Sequence, residues 1–150
     1  MTNHQFIEVA LLAHPIAGAS LPLQSFPESC GAECIFLGRT RREIHPVHGQ
    51  LKELVYSAYE SMAESVLRDI VERISRSMTD LSAVRVLHAL GPVAVGEASV
   101  MVQVAAGHRG CAFEATRAIM DALKSEAPIW KQEIWADGTT WSPGKQVITP

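Results

Sequence analysis

The sequence predicts an α+β domain. Two segments repeat their apolar residues at helical period, about six or seven others read as strands, and glycine or proline signals separate most of them. With 150 residues, 47% of them hydrophobic, the chain is long enough to bury one core and is read as a single domain spanning 1–150. The order of strands within a sheet does not follow from this pattern.

Phe6 to Leu12 is a short apolar strand. His14 to Pro27 carries three prolines and one glycine and reads as a loop. Cys30 to Leu37 is a second strand closed by Gly38, and Arg39 to Gln50, with Pro46 and Gly49, is a loop. Leu51 to Ala58 has strand character. Tyr59 to Met78 is the first helix. Met62, Val66, Ile70 and Ile74 recur every fourth residue, Ala63, Leu67 and Val71 widen the stripe, and Glu64, Arg68, Glu72, Arg73 and Arg76 fall largely on other faces. Leu81 to Leu90 is a strand ended by Gly91-Pro92, and the valine-rich Ala98 to Ala106 is another.

A second helix runs from about Gly110 to Glu126, its apolar face made by Ala112, Ala115, Ile119, Ala122 and Leu123. Pro128 disfavours the helical conformation at Ala127 and stops it there. Ile129 to Trp135 is a strand. Asp137-Gly138 is a turn, read as a hairpin leading into Thr139 to Trp141, and the tail from Ser142 reads as irregular.

The net charge of −3 excludes a global basic field for nucleic acid, so any anion site must be local. No run of roughly 18 apolar residues is present, and Met1 to Ala13 lacks a basic leader, so a cytoplasmic protein without a membrane span is expected. The three cysteines, Cys30, Cys34 and Cys111, have no metal spacing and read as buried free thiols.

Four local clusters could carry chemistry. Gly107-His108-Arg109 lies between an apolar strand and a helix, where free N–H groups favour an anion and an Arg and a His add donors. A glycine turn with two solvated polar residues is the other reading. Lys124 lies near the end of the second helix and Lys131 in the strand that follows. Alternation puts Ile129, Lys131, Glu133 and Trp135 on one face, so the two lysines either share a site or are separately solvated. Gly38 to Arg42 is a basic patch that either binds an anion or faces solvent. His45 and His48 are three apart, but Pro46 argues against a helix that would seat a metal on them. Cys111 with His108 would make a thiol–imidazole pair if the helix start lowered the thiol pKa.

The run Gly107-His108-Arg109, Cys111-Ala112-Phe113-Glu114-Ala115, Ile119-Met120-Asp121, Leu123-Lys124 and Ala127-Pro128-Ile129-Trp130-Lys131-Gln132-Glu133 resembles the signature of the molybdopterin synthase large-subunit family. Phe36 to Arg41, Tyr56 to Tyr59 with Met62-Ala63, His88 to Gly91, and Val93, Gly96 and Glu97 fit the same family. Thr40 stands where the family usually carries an apolar residue, Ser57 where an acidic one is common, and the loop Arg42 to Gly49 lacks a central asparagine.

The resemblance implies an α/β-hammerhead-like domain with an additional antiparallel sheet. It implies a homodimer of large subunits, each binding a small ubiquitin-like subunit that ends in a Gly-Gly thiocarboxylate, so making a heterotetramer. Two sulfurs would pass from that tail to cyclic pyranopterin monophosphate, with no cofactor or metal of this chain's own. In that reading Lys124 and Lys131 are both catalytic and substrate-binding: Lys124 is the acid/base, and Lys131 holds the thiocarboxylate or substrate and biases the proton affinity of Lys124. His108, Arg109 and Arg41 grip the phosphate, and Glu133 orients Lys131. The rival reading is a non-catalytic module that binds a ubiquitin-like partner or a phosphate ligand.

Overall fold

In a computed structural model, residues 5–17 and 27–142 are described. In chain order the elements are β1 (Phe6–Leu12), β2 (Ala32–Arg39), β3 (Ile44–His45), β4 (Gly49–Ala58), α1 (Glu60–Ser77), β5 (Leu81–Ala89), β6 (Gly91–Ala94), β7 (Ala98–Ala106), α2 (Arg109–Glu126), β8 (Ile129–Trp135) and β9 (Gly138–Trp141).

Strand β7 is apolar apart from Ser99 and Gln103, and it is buried on both faces along its whole length. It is an inner strand of a four-stranded sheet ordered β1-β5-β7-β2. Strand β1 runs parallel to β5, and the other pairs are antiparallel. Both helices pack on one face of this sheet. Val84, Val86, Val102 and Val104 meet Leu67, Ile70 and Val71 of α1 and Ala115 and Ile119 of α2 in one core. Ile16, Leu87, Ala98 and Met101 form a smaller cluster on the other side.

The second sheet is antiparallel and ordered β3-β4-β8-β9, with β6 also on β4. This is the expected α+β architecture, a mixed sheet with helices plus an additional antiparallel sheet. The tail expected to be irregular lies, from residue 143 onward, outside the described residues, as do 18–26 of the expected loop.

Three local readings are corrected. The buried stripe of α1 is centred on Ala63, Leu67, Ile70, Val71 and Ile74, and Met62 is exposed. The stripe that faces a sheet is wide, and its centre follows the direction in which the sheet lies, which a period alone does not fix. Gly91-Pro92 follows the end of β5, as expected, but the segment it opens, where no strand is expected, is β6. Pro92 is tolerated because β6 pairs only with β4, as an edge strand. The loop Arg39 to Gln50 contains the two-residue β3, paired back onto Gly49 and Gln50.

The end of α2 follows the expectation. Ala127, before Pro128, is extended at φ −69° and ψ 128°, and its N–H closes the helix on the Leu123 carbonyl. The chain therefore turns back at once into β8, which pairs with β4 from Ile129↔Ala58 to Leu51↔Trp135. This turn places the last turn of α2 beside the second sheet.

Candidate active site

A cleft of about 660 Å3 opens at that junction. One wall is the last turns of α2, where Met120, Leu123 and Lys124 share a face by their i, i+3, i+4 spacing. A second wall is β8, where alternation turns Ile129, Lys131 and Glu133 toward the cleft. The end of β2, from Phe36 to Arg39, and Arg41 also line it. The floor is Leu54 and Tyr56 of β4 with His88, Ser99 and Val100.

The lining is cationic although the chain is net negative. Arg39, Arg41, Lys124 and Lys131 face it against only Glu43 and Glu133, four positive groups to two negative. Arg39 is tied down by its Nη1 donating to the Gly96 carbonyl at 2.9 Å. Arg41 reaches outward, 84% exposed, with Glu43 3.2 Å away. An exposed pair of this kind contributes little to stability, so the guanidinium is available to an anionic ligand. Thr40 between them is buried, and its hydroxyl donates to the Val93 carbonyl at 3.3 Å. That bond satisfies a polar side chain where the family usually has an apolar one.

Glu133 is held by Thr140, whose hydroxyl donates to it at 2.9 Å while accepting from the Trp135 indole at 2.7 Å. No ion pair joins Glu133 to Lys131 among the described residues. The two share a strand face, and the fixed partner of Glu133 is Thr140.

Of the residues singled out from sequence, Arg41, Lys124, Lys131 and Glu133 are brought together. His108 and Arg109 are not. They begin α2, and Lys124 lies in its last turn, so at about 1.5 Å per residue they stand roughly 24 Å away along the helix. Asp80 already occupies the helix start. Its Oδ2 accepts from the His108 backbone N–H at 2.9 Å, and the His108 ring Nδ1 lies 3.2 Å from the same oxygen. The imidazole is otherwise turned out to solvent, 88% exposed.

The thiol–imidazole alternative gains no support. Burial, then Asp80, then Glu114, push the Cys111 thiol pKa above its ordinary value, the reverse of what activation needs. The three cysteines are free and half-buried rather than fully buried. His45 and His48 stack on each other with ring centres 4.6 Å apart, and His45 lies 5.1 Å from the Trp135 ring. No group of three or more metal-ligating side chains occurs among the described residues. No helix among them is long and apolar enough to cross a membrane.

Sequence reasoning passed over Tyr56, His88, Ser99 and Trp130 as site residues. Each lies in a strand, or at its end, where a half-apolar side chain reads as core. Only the register reveals which face they share.

A two-sheet α+β subunit with a cation-lined cleft between its last helix and its second sheet defines a class, the catalytic subunits of molybdopterin synthase, and its relatives bear this out. A curated molybdopterin synthase catalytic subunit from Culex quinquefasciatus is 40% identical over 119 residues, 79% of this chain and 74% of that one. A molybdopterin synthase structure from Staphylococcus aureus superposes with a TM-score of 0.81 at 29% identity, covering 89% of this chain and 96% of that one. A chain of the complex of subunits 1 and 2 of molybdopterin-converting factor from Helicobacter pylori shares the fold, with a TM-score of 0.72 at 20% identity and 89% of each chain covered. The family model described as MoaE protein matches residues 13–126. The chain belongs to the MoaE protein family, and its role is that of the catalytic subunit.

Proposed function

We propose that the chain is a sulfurtransferase that moves two sulfurs onto cyclic pyranopterin monophosphate from the C-terminal thiocarboxylate of a small ubiquitin-like subunit. The observation that carries this is the meeting of Lys124 and Lys131 in one cleft, from two different elements, with Arg41 in the same lining. In each transfer the thiocarboxylate sulfur bonds to a substrate carbon as a carbon–oxygen bond at that carbon breaks, its oxygen leaving protonated as water or carried on the phosphate; water then breaks the acyl C–S bond, leaving sulfur on the substrate and a carboxylate on the tail. Lys124 moves protons at the reacting carbon. Lys131 holds the anionic tail, and Arg41 takes the phosphate as a guanidinium can. A Gly-Gly tail suits a cleft with Phe36 and Trp130 in its walls, because glycine lets a backbone pass close.

His108 and Arg109 enter this scheme from a second copy. One chain's α2 cannot bring both of its ends to one substrate, whereas a homodimer can present the helix start of one protomer at the cleft of the other. Two small subunits then complete a heterotetramer. The two-subunit description of the Helicobacter pylori neighbour supports a small partner.

The test is reconstitution. The purified chain, the thiocarboxylated small subunit and cyclic pyranopterin monophosphate are mixed, and dithiolene product is read by fluorescence after oxidation. Product that disappears in Lys124→Ala, with the partner still bound, is expected. A bound partner with no product from the unsubstituted chain would leave a binding module instead.

A further inference from the structure

Tyr56 is a hydrogen-bonding side chain in the cleft that the scheme above leaves without a task. In the β4–β8 register it stands directly opposite Lys131. Directly opposed residues project to the same face with Cβ atoms about 4.5–5.5 Å apart, and both side chains line the cleft. Their functional ends therefore reach the same small volume.

The phenol is aimed by its surroundings. The His88 ring meets it edge-on, with centres 5.1 Å apart at 73°. His88 is itself buried and fixed, its Nδ1 donating to the Ala89 carbonyl at 2.8 Å, since a carbonyl can only accept. Ser99, whose hydroxyl donates to the Gly38 carbonyl at 3.4 Å, lies beside the Tyr56 phenol. Ser99 is the extra residue of a bulge, because the pairing passes from Gly38↔Val100 to Arg39↔Ala98. A bulge re-aims a side chain, and here it buries a serine beneath the cleft. Burial pushes the Tyr56 phenol above its ordinary pKa, so it remains a donor at neutral pH.

A phenol both donates and accepts. The one Ser99 proton is directed to the Gly38 carbonyl, and the phenolic O–H can turn to a ligand in the cleft. An ammonium group satisfies one end of a carboxyl-type anion, and the other end needs a second donor when water is displaced. Arg39 and Arg41 come from other elements of the lining, the end of β2 and the loop after it, and a guanidinium suits a phosphate, which leaves Lys131 for the carboxyl-type group.

We propose that Tyr56 is a further substrate-contacting residue, its phenolic O–H donating to the acyl oxygen of the carboxyl-type group that Lys131 holds. The assignment of that group to a partner's C-terminal tail rests on the function proposed above.

The probe is a synthetic peptide ending in Gly-Gly with a free carboxylate, titrated beside the same peptide as its C-terminal amide. Tyr56→Phe keeps the ring and its contact with His88. It is expected to weaken the carboxylate peptide about tenfold, to leave the amide peptide within twofold, and to leave the melting temperature unchanged. In a Lys131→Ala background the same substitution is expected to cost less than twofold. Equal affinity of Tyr56→Phe and the unsubstituted protein for the carboxylate peptide would overturn the proposal. So would equal loss for both peptides, as would an unsubstituted protein that does not prefer the carboxylate. Absence of dithiolene product in reconstitution fails the sulfur-transfer reading instead, and the peptide titration still decides the role of Tyr56.

Discussion

Asp80 holds His108 twice, taking its backbone N–H at 2.9 Å and lying 3.2 Å from its ring Nδ1. His108 itself makes no side-chain cap for α2, so a carboxylate from the turn before β5 supplies the negative charge that the helix start favours. Asp80→Ala removes an N-terminal acceptor and is expected to cost about 1 kcal/mol of stability, measured as a lower urea midpoint at unchanged slope. Asp80→Asn, which keeps an acceptor oxygen, is expected to recover most of it. Equal loss in both variants would show that the carboxylate charge, not the hydrogen bond, matters.

Gly107 exists for the same carboxylate. A Cβ built on it would collide with Asp80 Oδ1. Gly107→Ala is therefore expected to push Asp80 off His108 and to mimic Asp80→Ala. Combining the two substitutions should destabilise by less than the sum of the single effects, because residues in one network are not independent. Additive losses in denaturant titrations would separate Gly107 from Asp80.

Cys111 gives a pH prediction whose sign is fixed. Its pKa is raised, so at any pH its thiolate fraction is below that of an ordinary cysteine, and it stays a neutral thiol through the physiological range. In a Cys30→Ser, Cys34→Ser background, alkylation at pH 7–8 is expected to be slower than that of a free thiol, rising only as the pH passes the ordinary cysteine value. Cys111→Ser is expected to leave sulfur transfer unchanged. Fast labelling at pH 7 would contradict the burial argument.

Much of this fold is legible because its signals are local. Strand β7 is a run of small and branched apolar residues, and α2 ends where Pro128 says it must. The Asp137-Gly138 turn forms as expected, with Gly138 at φ 108°. What the sequence hides is non-local. The parallel pairing of β1 with β5 depends on α1 and the strands between them. The edge strand β6 hides behind a Gly-Pro pair that reads as a terminator. The site divides in the same way. Lys124 and Lys131 carry a motif, and a proline turn brings them together. Tyr56 and Ser99 carry none, and they reach the cleft only through a register and a bulge that pairing creates. His108 and Arg109 read locally as an anion site, but a local pattern does not show that the whole length of α2 separates them from Lys124.

That length leads to the last prediction. If the cleft of one protomer is completed by the helix start of another, Lys124→Ala and Arg109→Ala damage different contributors to the same site. Each variant alone is expected to be inactive or nearly so. Mixed and reassociated, they form heterodimers in which one site carries both defects and the other carries neither. Random reassociation makes half of the dimers mixed, and one site in each is intact, so about a quarter of the normal activity should return. Substituting both residues in one chain and mixing with unsubstituted protein should instead leave every heterodimer site with a single defect. Activity would then fall below the share of unsubstituted chains. Failure of the first mixture to recover activity, with heterodimers demonstrated by mass, would confine the site to one chain. Lys124, Lys131 and Arg41 would then stand as its whole cationic machinery, with Arg39 beside them.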